Sequence, residues 1–332
     1  MKKIKLLLPL TLLLGLFQPV YAQFGSRAVA IQEIQKRDLI VIIGKMDDKV
    51  MKKIEKKGNS DLTSTYQTLI DNFNQNMKYA VENFWKFTTG QIIYKTVEEY
   101  QELMNDKANA SKYAVMCCTS GGYEIGLGQF DWQIDDKGNS MTGSVVSFSV
   151  TLPDLKGGNL YDYKVTLGEL VPGKASLICA MEREKTWYTA LLKNHLMKPN
   201  SESDEMIKNN QHNLVSKTLL IRDKDLGEDV KPAQIKASYP LLFKIVSEDD
   251  MNKSIMAKDS NYAYVGLVLG GTGSEVHFYV VDCADGGFLG QSGAGTGIQI
   301  GSHKINPKKL GASNLKDFCK DISPADMKKK KH

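Results

Sequence analysis

Apolar positions recur along this chain in two rhythms. The longest helical rhythm runs through Tyr66, Leu69, Ile70, Phe73, Met77, Ala80, Val81 and Phe84, at intervals mostly of three and four. That spacing predicts an amphipathic helix of about six turns, with one face laid on a sheet. Ahead of it, Asp38–Gly44 (DLIVIIG) is a β-branched run closed by glycine, which predicts a buried strand. Between the two, Lys45–Gly58 is charged and carries Met46, Val50, Met51 and Ile54 at roughly helical spacing, so a short surface helix or ordered loop is expected. Next, Gln91–Lys95 reads as a strand. Thr96 followed by Glu99 forms a capping box, and Tyr100, Leu103 and Met104 give the new helix its buried face. A polar turn at Asp106–Ser111 leads to the strand Tyr113–Cys118. The order β-α-β-α-β favours parallel strands joined by crossover helices.

The rhythm then changes. Tyr123–Ile134, Met141–Leu152 and Leu160–Leu167 are separated by turn-rich segments and read as antiparallel strands. Ser176 opens a helix to about Met197 that places Leu177, Met181, Tyr188, Leu191 and His195 on one side. Lys198–Asp204 (KPNSESD) is the best linker in the chain. Beyond it the first plan returns: a strand at Lys217–Ile221, a short helix at Pro232–Tyr239 and a strand at Leu241–Val246. A helix capped by Ser247, with Met251 and Ile255 on its apolar face, leads to strands at Tyr262–Leu269 and Glu275–Asp282. Gly286–Gly301 reads as a polar, glycine-rich loop, and Ser313 or Asn314 opens a last helix to about Ile322.

Two stretches therefore echo each other. Thr96 and Ser247 both cap a helix after a strand, and Tyr113-Ala114 and Tyr262-Ala263 both open the strand after it. Leu170…Cys179 and Leu310…Cys319 share one spacing. The expected fold is α/β with added antiparallel strands: two related β-α-β-α-β units, a tandem duplication. The expected division is a signal peptide at 1–22, a flexible arm at 23–36, a first unit at 37–200, a second at 201–323 and a basic tail at 324–332. Two copies of one unit would leave a cleft between them, beside Gly286–Gly301.

The first residues change the picture of where the protein works. Lys2, Lys3 and Lys5 precede an apolar run from Leu6 to Phe17, and Val20-Tyr21-Ala22 suits a signal peptidase, with cleavage after Ala22. The run is shorter than the roughly 20 residues a spanning helix needs, and no later stretch of the sequence is long and apolar enough to span. Export is expected, to the periplasm or onward to the cell surface or medium. Removing Lys2, Lys3 and Lys5 lowers the formal charge from +5 to +2, and Lys328–Lys331 supply more than that. The body is near neutral, and its arginines are only Arg27, Arg37, Arg183 and Arg222. Nucleic-acid readers lean on Arg, so that partner class is disfavoured. The tail itself can touch anionic surfaces, although a solvated terminus explains it too. The element order after a signal peptide is similar to the small α/β modules of bacterial envelope proteins, such as the N-terminal domain of the translocation protein TolB. The likeness is one of order alone, over roughly a third of the chain, and implies no residue roles.

Candidate chemistry is sparse. Cys117, Cys118, Cys179, Cys283 and Cys319 are odd in number and show no C-x-x-C spacing, so buried free thiols are expected and a single disulfide is the alternative. None of His195, His212, His277, His303 and His332 has a metal-ligand spacing to another His or Cys. Asp131, Asp135 and Asp136 with Gly138 suit a hairpin turn and do not meet the calcium-loop pattern. Glu98-Glu99 and Glu248-Asp249-Asp250 lie in first turns of helices, where negative charge offsets the dipole. Gly270–Ser274 joins two strands as a turn. The longer run Gly290–Gly297 lacks the lysine and hydroxyl of a phosphate loop, and Ala294 stands where a nucleophile elbow needs glycine. A long glycine-rich loop still needs a reason to be ordered, which makes Gly290, Ser292, Gly293, Gly295 and Thr296 the candidate ligand site. No cofactor is implied. The expected role is non-catalytic binding or assembly, with a protein partner or a small ligand. One alternative is a hydrolase that pairs Ser292 with His303. Another is a surface interaction protein that uses Tyr123–Leu167 as a sheet edge.

Overall fold

A computed structural model describes residues 27–57, 60–120, 133–134, 140–141, 146–155, 165–167, 172–193, 199–228, 230–269, 275–296 and 309–328. The expected signal peptide, most of Tyr123–Ile134, the turns at 135–139 and 270–274, His195, His303, His332, Gly297–Gly301 and the tail beyond Lys328 lie outside them.

The class is mixed α/β, built on a ten-stranded sheet. A helix at residues 27–36 (α1) leads into β1 (Asp38–Ile42). Helices α2 (Asp48–Lys57) and α3 (Ser60–Phe84) carry the chain to β2 (Ile92–Lys95). Helix α4 (Val97–Met104) returns it to β3 (Tyr113–Ser120). Both crossovers produce parallel pairs, with β1 lying between β2 and β3. The small hairpin β4 (Gln133–Ile134) and β5 (Ser140–Met141) stands apart from the main sheet. Strands β6 (Val146–Thr151) and β7 (Val165–Leu167) then add to β3 in antiparallel fashion.

The strands of the second half follow the same order of pairing, with different numbers of helices between them. Helix α5 (Lys174–Lys193) is followed by α6 (Pro199–Asn210) and β8 (Thr218–Arg222). Helix α7 (Pro232–Ser238), β9 (Phe243–Val246), α8 (Glu248–Met256) and β10 (Tyr262–Leu269) come next. Two antiparallel strands, β11 (Glu275–Asp282) and β12 (Phe288–Thr296), complete the sheet, and α9 (Ala312–Asp317) and α10 (Pro324–Lys328) close the chain. The register repeats as well as the order. Leu39 pairs with Ile92 on one side and Ala114 on the other, and Leu219 pairs with Phe243 and Ala263. The helix starts match the sequence reading. Thr96 Oγ1 accepts from Glu99 N at 3.3 Å while Glu99 Oε2 accepts from Thr96 N at 2.7 Å, and Ser247 Oγ accepts from Asp250 N at 3.1 Å.

The halves meet at β10. Its N-terminal part, Tyr262–Tyr264, pairs in parallel with β8. Beyond the end of β8, Val268 and Leu269 pair antiparallel with Leu167 and Thr166 of β7. Helix α5 packs in the main core with side chains from both halves, among them Val150 and Leu167 from the first and Leu220 and Tyr264 from the second. Its approach to β10 is close because residue 266 is glycine: a Cβ there would lie 2.6 Å from Cys179 Sγ. Two further cores lie apart, one under α4 around Ile40 and Val115, the other under α7 and α9 around Ile221 and Phe278.

The structure departs from the sequence reading in three places. Residues 27–36 are a helix rather than an arm, because Ile31 and Ile34, one turn apart, are fully buried. The polar run from Pro199 onward opens α6, with proline at a position where a helix start tolerates it. Within the expected glycine-rich loop, Phe288–Thr296 is a strand, because pairing with β11 outweighs the low strand propensity of its glycines.

Candidate functional site: a groove beside β12

The residues singled out on the glycine-rich run share one strand but do different things. Ser292 is buried. Its hydroxyl donates to Asp317 Oδ2 at 3.1 Å and accepts from Asn314 Nδ2 at 2.7 Å. Asn314 Oδ1 in turn accepts from Gly311 N at 2.9 Å. This network fastens α9 to the sheet. Gly290 serves the same joint, since a Cβ there would stand 3.2 Å from the Phe318 carbonyl oxygen. Gly293 is exposed, and a Cβ on it would meet nothing within 4 Å. Gly295 and Thr296 pair with Val276 and Glu275 of β11. Ser292 is thus a structural hydroxyl, and its proposed partner His303 lies outside the described residues.

Between them, on the other side of the strand, stands Gln291. It faces a groove of about 580 Å³ walled by α6 and by the turn that follows α9. Gln291 Nε2 donates to Asp204 Oδ1 at 2.9 Å. Gln211, nearly fully buried, ties the walls together: its Nε2 donates to the Asp317 carbonyl at 3.1 Å, and its Oε1 accepts from Asp321 N at 2.9 Å. Lys208 Nζ lies 3.5 Å from Asp321 Oδ1 across the same gap. Glu205 on α6 and Lys320 on the opposite wall are exposed to the groove. The lining carries charges of both signs beside a comparable apolar share that includes Ile207, and suits recognition of a segment by hydrogen bonds and charge.

A second polar feature lies inside the core. Glu184 of α5 is fully buried; its Oε1 accepts from Val150 N at 2.9 Å and from the Tyr188 hydroxyl at 2.5 Å. Its Oε2 has no hydrogen-bond partner among the described residues. Burial pushes this carboxyl up to about 8, against the pull of Tyr188 and Val150, which favours its neutral form. Its neighbour Glu182 is pushed up to about 7 by burial, although Lys185 pulls the other way. The carboxylic acid takes up the Val150 main-chain donor and so ties α5 to β6.

All five cysteines are buried, and none is joined in a disulfide. Burial raises Cys118 well above the usual thiol range, Cys283 to about 12, and Cys319 to a lesser degree, which makes them poor nucleophiles. Among the described residues, no group of three or more His, Cys, Asp or Glu is placed to hold a metal ion. No helix among them is long and apolar enough to cross a membrane.

Sequence reasoning named Ser292 and its glycines but missed the walls: Asp204, Glu205, Lys208, Gln211, Lys320 and Asp321. They come from α6 and from the turn after α9, far apart in the chain, and no local pattern marks them. Glu184 did leave a signal. It falls on the stripe Leu177, Met181, Tyr188, Leu191, one turn from Met181 and Tyr188, where a charged residue is out of place. Compared with protein-family models, with curated proteins and with solved structures, the chain matches none.

Proposed function

We propose that this is an exported, non-catalytic binding and assembly protein of the bacterial envelope, and that its contact surface is the β12 side of the molecule. The observation that carries the reading is the groove beside Gln291, where charges of both signs and the buried amide of Gln211 are held by three separate elements. The occupant that suits it is a short polar segment of a partner protein, with a cationic group toward Asp204 and Glu205 and an anionic one toward Lys320. The Ser292 network supports a binding role over a hydrolytic one, since that hydroxyl is spent on holding α9. The repeated strand order and register support descent of both halves from one unit. Residues 1–22 support export by a cleaved signal.

The groove is tested with a panel of short peptides of basic, acidic and mixed charge, titrated into the labelled protein and followed by NMR. Mixed-charge peptides should bind and shift groups around Gln291, and Glu205→Lys or Lys320→Glu should each weaken the binding. If no peptide binds, or if both variants bind as the parent does, the groove is not the contact site. Cell fractionation with mass analysis of the N-terminus tests the export reading; a chain retained in the cytoplasm with Met1 intact contradicts it.

A further inference from the structure

The two halves differ most in the use made of the outer edge of their last strand. In the first half, β7 is paired on both sides. Leu167 faces Val146 of β6 and Val268 of β10; Thr166 faces Ser147 and Leu269. In the second half, β12 pairs with β11, and among the described residues its other edge carries no strand. The edge that β10 offers to β7 lies beyond the point where β8 ends. The matching edge in the first half is on β3, beyond the point where β1 ends. There Thr119 and Ser120 pair with β6 on one side and, among the described residues, with no strand on the other.

Among the described residues there is therefore one filled junction, β7 on β10, and two unfilled halves of the same junction, at β12 and β3. The junction is heterologous, because a last strand meets a third strand rather than its own counterpart. Such contacts, repeated between molecules, give rings or open chains. We propose that β12 of one molecule docks antiparallel on the Thr119–Ser120 edge of β3 in a second copy, so that the protein assembles head to tail. Main-chain hydrogen bonds at a sheet edge supply the attraction.

Register follows from the internal example. Val146 and Val276 occupy matching places on β6 and β11, and stand opposite Leu167 and Gly295. Val268 of β10 matches Thr119 of β3. Val268 pairs with Leu167, so Gly295 falls opposite Thr119. The composition of β12 suits the role. Gly293 is exposed with open space where its side chain would be, and glycine in a strand marks a place where another backbone comes close. The inference rests on the reading of the β12 side as the contact surface. A protein that binds peptides in the groove yet never self-associates loses this inference and keeps that reading.

Sedimentation velocity on the exported chain, over a concentration series, tests it. The expected result is a sedimentation coefficient that climbs with concentration and passes that of a dimer. Gly293→Lys puts a charged side chain on the docking edge, where the monomer has room for it, and should weaken association about tenfold or more with unchanged circular dichroism. Thr119→Lys should block the other edge. Mixing the two variants should then give dimers that grow no further, because each retains one competent edge. If Thr119→Lys fails to fold, the parent and Gly293→Lys still decide the matter. A parent that is monomeric at every concentration, or an association that Gly293→Lys leaves intact, overturns the proposal.

Discussion

β7 and β12 hold the same place in their halves and have opposite characters. Among the described residues β7 comprises Val165-Thr166-Leu167, all buried and paired on both edges. β12 is nine residues long, reads FLGQSGAGT, and among the described residues is paired on one edge only. The first was built as an internal seam, so its side chains carry core packing. The second packs Phe288 and Leu289 into the cores at its start, is held by side-chain joints at Ser292 and Gln291, and keeps small residues from Gly293 onward. One strand position can therefore act as a seam or as an exposed edge, according to whether its side chains are given to packing or withheld from it.

The comparison can be broken from the seam side first. Leu167 is fully buried, and Leu167→Ala should cost roughly 2–5 kcal/mol in chemical denaturation. Gly293→Ala, two residues before its counterpart on β12, adds a methyl group that meets nothing. It should be neutral or stabilising by up to about 1 kcal/mol. Equal costs at the two sites would remove the contrast.

The attachment of α5 to the first half predicts a pH dependence of comparable size. Glu184 has its folded value raised to about 8 from 4.5. Below the unfolded value both states are protonated and the group contributes nothing. As pH rises from about 4.5 to 8 the unfolded chain releases its proton while the folded one keeps it, so stability falls by several kcal/mol, and above pH 8 it levels off. Glu182, raised to about 7, adds in the same sense with an earlier plateau. Glu184→Gln should flatten most of the slope in denaturation midpoints measured between pH 5 and 9. An unchanged slope would show that this carboxyl does not titrate as a buried acid.

Smaller effects belong to the close contacts. Gly266→Ala places a Cβ against Cys179 and should cost about 1–3 kcal/mol, as overpacking does. Asn314→Ala removes one of the two hydrogen bonds of Ser292 and the side-chain acceptor of the Gly311 amide and should cost about 1–3 kcal/mol, with α9 loosening in hydrogen exchange before the sheet does.

Much of the scaffold was legible in the sequence. The Thr96–Glu99 box, the cap at Ser247, the stripe from Tyr66 to Phe84 and the β-branched runs each state their structure locally, and the fold keeps all of them. β12 was not legible, since its glycines signal a loop and only the ladder to β11 makes them a strand. The helix at 27–36 was missed because its apolar face is short and its value comes from burial against distant residues. The groove was the least visible feature. Gln211 and Asp321 meet there through contacts spanning more than a hundred residues, and charged residues on α6 look like any solvated face until the turn after α9 stands opposite them.

Hydrogen exchange at the two strands, measured at low and high protein concentration, compares the seam with the edge directly. Amides of Val165–Leu167 should be protected alike at both concentrations. Those of Gly293–Thr296 that face outward should exchange fast in dilute solution and become protected as concentration rises, together with Thr119 and Ser120. Protection at β12 that does not change with concentration, whether high or low throughout, would contradict the account.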